Sequence, residues 1–164
     1  MRDVMLSGRE MLKWNDETAE RWFNFLHENP AVLALPCDIA GVTTVAQMLQ
    51  HIVAVEVRFA VRLLGKEATP YEAVPYGTVD ELVATHGRAH SLYEQMLNAP
   101  EFAWTEEIAM VTRTAGTITA SRRKVFFHAQ MHGIRHYAQL ATLVRQHGFK
   151  PGWPMDLMMT RGMR

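Results

Sequence analysis

The chain has a single cysteine, Cys37, among its 164 residues. No internal disulfide can staple it, and a reducing, cytoplasmic setting is expected. It has no surplus of either charge: seventeen Lys and Arg balance seventeen Asp and Glu. A nucleic-acid binder normally carries a basic excess to neutralise phosphates, so that class is disfavoured. Arg122, Arg123 and Lys124 form only a short basic run, which reads as a solvated helix start. No apolar run approaches the roughly 18 residues of a membrane span, and the first residues lack a signal-peptide pattern. Also missing are G-x-S-x-G, G-x-x-x-x-G-K, G-x-G-x-x-G and H-E-x-x-H, which removes serine-hydrolase, P-loop, dinucleotide and zincin readings. Internal repeats and low-complexity segments are absent as well. With 48% apolar residues, the expectation is one globular domain over 1–164.

What is present is helical periodicity. From Arg9 to Glu28, Met11, Trp14, Thr18, Trp22, Phe25 and Leu26 recur on one face, and Asn29-Pro30 stops the helix. Thr43 or Thr44 caps a second helix that runs to Gly65. The segment from Lys66 to Gly77, with Pro70, Pro75 and Gly77, reads as a loop whose Tyr71 and Tyr76 overhang a neighbouring cleft. Thr78 and Glu81 make a capping box for a third helix ending at Asn98 to Pro100. Between Trp104 and Thr119 the β-branched texture around Gly116 predicts a short hairpin or extended excursion. Ser121 caps a fourth helix that ends at Gly148. The tail beyond it carries Phe149, Trp153, Met155, Leu157, Met158 and Met159, and is expected to lie on the body or on a partner subunit. Four long amphipathic helices predict an all-α four-helix bundle, a fold that commonly holds a metal between facing helices.

The chemically distinctive stretch is FFHAQMHGIRHYAQLATLVRQHG, Phe126 to Gly148. It sets His128, His132 and His136 four residues apart, each about 6 Å further along one helical face. Two adjacent imidazoles can share a metal ion. The outer two lie about 12 Å apart, so a third ligand must come from another helix. His51, on an inward stripe with Met48, Ile52, Val55 and Phe59, is one source; alone it would read as a hydrogen-bonded core histidine. His86 and His90 form a competing pair that could line the same cavity or serve as structural hydrogen-bonders. His27 and His147 sit near helix C-termini, where an imidazolium favours the dipole.

With His51 in MLQHIVAVEVRF and the pair in HGIRHYAQLATLVRQHG, nearly the whole chain resembles the DinB/YfiT-like family of metal-dependent four-helix-bundle proteins. The resemblance implies metal ligation by His51, His132 and His136, with His128 outside the ligand set. Gln139 matches the glutamine that follows the pair, and Arg145-Gln146-His147-Gly148 the helix end; Tyr137-Ala138 stand where Arg-Gly is common. It further implies a divalent metal, zinc or nickel, and an enzyme of the thiol-dependent S-transferase or hydrolase type. A low-molecular-weight thiol cofactor and a small-molecule substrate come with that reading. Glu56, Tyr137 and His128 are candidates for a general acid or base, although Glu56, five residues from His51, should face partly away. The alternative is a non-catalytic metal- or small-molecule-binding, stress-associated bundle. A homodimer is expected from the aromatic first helix and the methionine-rich tail.

Overall fold

The computed structural model describes residues 5–112 and 115–161. Four helices dominate: α1 Gly8–Glu28, α2 Val45–Leu63, α3 Val79–Asn98 and α4 Arg122–Gln146. Each begins on a side chain that accepts from an otherwise orphaned backbone N–H: Ser7, Thr44, Thr78 and Ser121. Ser7 with Glu10 and Thr78 with Glu81 complete reciprocal capping boxes. At the far end of α2 the chain leaves through Gly65, and at the end of α4 through Gly148, both at positive φ.

The principal contacts run α1–α3, α3–α2, α2–α4 and α4–α1. The helices are therefore arranged α1, α3, α2, α4 around the bundle, and α1–α2 and α3–α4 are diagonal. That explains two of the connections, which must cross an end of the bundle. The first is built on a short 3-10 helix, Pro30–Ala34, whose Val32 is buried. The second contains an antiparallel hairpin, β1 Glu107–Thr112 paired with β2 Gly116–Ser121. The expected all-α chain thus also carries a two-stranded sheet. Its β-branched residues pair across the ladder, Ile108 with Ala120 and Val111 with Thr117, while Met110 and Ala120 are buried.

The interior is two apolar clusters. One gathers Trp22, Leu26, Met48, Leu49, Ile52, Leu82, Tyr137 and Leu140. The other gathers Leu12, Ala60, Leu63, Tyr93, Met96, Phe126 and Ala129 with the hairpin's Met110 and Ala120. Between them lies a layer to which every helix contributes one buried polar residue: Asn15, Glu56, His86 and Gln130. Asn15 Nδ2 donates to Glu56 Oε1 at 2.7 Å and to Gln130 Oε1 at 3.0 Å, and His86 Nδ1 lies 2.8 Å from Glu56 Oε2. Gly133 of α4 faces this layer. A Cβ there would come within 2.7 Å of Asn15 Oδ1 and 3.1 Å of Glu56 Oε1.

The tail turns back on its own chain. Phe149, Trp153 and Met155 pack on the first cluster, and Trp153 meets Trp22 edge to face at 5.5 Å. Trp14 donates to the carbonyl of Met155, and Arg21 to that of Pro154. No helix among the described residues is long and apolar enough to cross a membrane.

Candidate metal centre

The layout of α2 against α4 brings His51 opposite the His132–His136 pair. One nitrogen from each of the three lies within 4.8 Å of the other two. His51 Nε2 and His132 Nε2 are 3.0 Å apart, and the His132 and His136 ring centroids 4.4 Å. Ligands about 2.0 to 2.1 Å from a tetrahedral ion stand roughly 3.3 Å from one another, so this spacing suits a shared cation. His132 and His136 are buried, while His51 is partly exposed, which leaves the cluster open toward solvent on the α2 side.

Burial and cationic neighbours favour the neutral form of His132 and His136. Burial, then the neighbouring His136, His51, Arg135 and His128, pushes His132 down to about 2. Burial also lowers His136; its bond to Gln139 opposes that, and Arg135 adds to it. Gln139 Oε1 sits 2.6 Å from His136 Nδ1. It accepts the Nδ1 proton, which fixes the tautomer and leaves Nε2 facing the cluster. His132 Nδ1 is buried and makes no hydrogen bond. The donor set is therefore compatible with a divalent cation.

A loop finishes the site. Gln50, one residue before His51, donates from Nε2 to the carbonyl of Val74 at 2.8 Å, pinning the α2–α3 connection to α2. Its short 3-10 turn, Tyr71–Ala73, places the Tyr71 ring 6.1 Å from that of His51. The expected rim at Tyr71 is thus present, and Tyr76 packs on the apolar cluster beside it. The hairpin around Gly116 packs elsewhere: its buried residues meet Val125, Phe126 and Ala129 in the N-terminal part of α4.

His128 stands outside the trio, as the resemblance implies. It is exposed and not a core residue, stacking on Phe59 at 5.8 Å with its ring 6.0 Å from that of His132. His86 and His90 turn away from the site and take the structural alternative. His86 is clamped between Glu56 Oε2 and Asp16 Oδ1, at 2.8 and 3.2 Å, and His90 Nε2 lies 3.7 Å from Asp16 Oδ2. Burial alone would lower the His86 pKa, but the facing Glu56 and Asp16 carboxylates outweigh it and push it up to about 10.

Two of the candidate acid–base groups lose their standing on position. Glu56 is 1% exposed and saturated by Asn15 and His86. Tyr137 is fully buried against Trp22, and burial followed by Glu56 and Asp16 holds its hydroxyl well above its ordinary pKa. The polar layer escaped sequence reasoning because Asn15, Glu56 and Gln130 stand singly, one to a helix, and His86 drew notice only for its i, i+4 spacing from His90. A surface cleft of about 660 Å³ lies elsewhere, between the end of α1 and the tail, and is lined by Phe25, Phe149 and Trp153 among others.

A helical bundle with three convergent imidazoles from two facing helices defines a class of compact helical proteins with a candidate metal centre. The chain belongs to the DinB family, whose model matches residues 1–161. It is also similar to the uncharacterized protein YizA of Bacillus subtilis (strain 168), at 21% identity over 142 residues. That alignment covers 87% of this chain and 89% of the relative.

Proposed function

We propose that the protein is a divalent-metal-dependent enzyme acting on a small molecule, of the thiol-dependent S-transferase or hydrolase type, with His51, His132 and His136 as the ligands. The observation that carries this reading is the convergence of three imidazole nitrogens within 4.8 Å beside a partly exposed edge. A zinc or nickel ion held there would lower the pKa of a bound thiol or water and make a nucleophile near neutral pH. His51 and the buried His132 present Nε2 atoms to one point. Gln139 keeps the His136 proton on Nδ1, so that Nε2 carries the lone pair, which accepts from Arg135 Nη2 at 3.1 Å until a cation takes it. Tyr71 borders the open side and limits the approach of solvent and substrate there.

Cys37 does not supply the thiol. It is buried, and burial raises its pKa, so the reading calls for an exogenous low-molecular-weight thiol. A buried cysteine also suits a cytoplasmic setting. The homodimer reading now rests on the exposed Met158 and Met159, because Trp153 and Met155 are used within the chain. Sedimentation as a monomer at micromolar concentration would end it.

Elemental analysis of protein purified without a histidine tag tests the centre. One zinc or nickel per chain, lost in His132→Ala and retained in His128→Ala, is the expected result. Stoichiometric metal in His132→Ala would refute the ligand assignment. A non-catalytic bundle becomes the better reading if metal binds but neither thiols nor hydrolysable substrates compete for its open position. The sequestered positions of Glu56 and Tyr137 favour that second reading.

A further inference from the structure

Arg135 lies between two metal-facing histidines in sequence, exposed on α4, with Nη2 3.1 Å from His136 Nε2. Among the described residues it has no carboxylate partner, unlike Arg9, Arg122 and Arg161, which pair with Glu94, Glu106 and Glu17 or Glu20. The groups facing the site from every packed element tell the same story. Helix α2 contributes His51, the α2–α3 connection contributes Tyr71, and α4 contributes His128, His132, His136 and Arg135. The Glu56 and Asp16 carboxylates are engaged instead in the polar layer, held by Asn15 and His86.

With a cation on the imidazoles the Arg135 guanidinium must leave His136 Nε2, to which it donates here, and an anion lying against both would offset the like-charge repulsion. The guanidinium's planar fork of donors matches a carboxylate and, being exposed, can turn to meet one without rebuilding the helix. The 3.1 Å separation from His136 Nε2 means that the two recognition points are a few bonds apart, which calls for a short ligand.

From this geometry we infer that Arg135 is a substrate-binding residue, and that the site takes a small carboxylate-bearing molecule. Its carboxylate sits on the guanidinium and its reactive donor atom points at the three imidazoles. The inference rests on the three-histidine metal reading above and adds a substrate class to it.

The test uses the full chain loaded with cobalt and titrated with two short thiols that differ in one group, 3-mercaptopropionate and 3-mercapto-1-propanol. The readout is the thiolate-to-cobalt absorbance band. Wild type is expected to bind the carboxylate about tenfold or more tightly than the alcohol, the scale of one charge-assisted contact. Arg135→Gln is expected to erase that preference while binding cobalt at least as tightly, since a like charge is removed. Equal affinities in the wild type, or a preference that survives Arg135→Gln, would overturn the inference and leave the metal reading intact. Failure of the wild type to take up cobalt at all would overturn both.

Discussion

Residue by residue, position decides chemistry here. His132 and His86 are both buried histidines, yet one is driven to about 2 and the other to about 10. The difference lies in their neighbours, imidazoles and a guanidinium in one case and two carboxylates in the other. For His86 the pKa is raised on folding, so its stabilisation is complete below the unfolded value near 6.5 and is lost as pH climbs toward 10. Denaturant titrations at pH 7 and pH 10 should differ by a contribution on the order of a few kcal/mol. In His86→Gln that slope should largely vanish, with stability at pH 7 lowered by about 3 to 5 kcal/mol for a carboxylate left without its cation. His132→Ala should behave differently, losing metal by elemental analysis while its metal-free Tm moves only a few degrees, on the order of a 1 kcal/mol change. The ligand pair was legible in the sequence because i, i+4 repetition is a helical signal. Glu56 was not, since an arc measured from His51 assumes one buried face. Helix α2, packed on both α3 and α4, buries residues nearly all round.

At the scale of elements, starts and stops follow from the sequence more closely than placements do. Thr44, Thr78 and Ser121 cap as their types predict. Ser7-x-x-Glu10 is the same signal, and it sets the start of α1 at Gly8 where apolar periodicity alone suggests Arg9. Ser7→Ala should cost about 1 kcal/mol in a chemical melt. The approach of α4 to α1 and α2 depends on Gly133. Gly133→Ala gains helix propensity of about 1 kcal/mol but forces a methyl onto Asn15 and Glu56. A net loss of about 1 to 3 kcal/mol is expected from overpacking, read as a lower Tm. The hairpin was anticipated from its β-branched texture around Gly116. Its berth beside Phe126 was not, because nothing local in the sequence states which end of a bundle a crossing connection will brace.

Across the whole molecule, the diagonal arrangement of α1 with α2 and of α3 with α4 was invisible to periodicity, which reports which face is buried and not what it is buried against. The tail's apolar residues pointed to packing on the body or on a partner, and Phe149, Trp153 and Met155 are used within the chain. Deleting residues 151–164 should strip the Trp153 contact from Trp22 and Phe25 and lower Tm, with metal content unchanged. The polar layer has a reach beyond the residues in it. If α2 slipped past α4 by one turn, about 5.4 Å, Glu56 would part from Asn15 and His86, and His51 would part from His132 and His136 by the same step. The layer thus acts as a detent on the axial position of α2. The aim of the imidazoles is calibrated by residues that never touch an ion, and a substitution at Asn15 or Gln130 would be felt at the centre as a loss of alignment rather than of ligands.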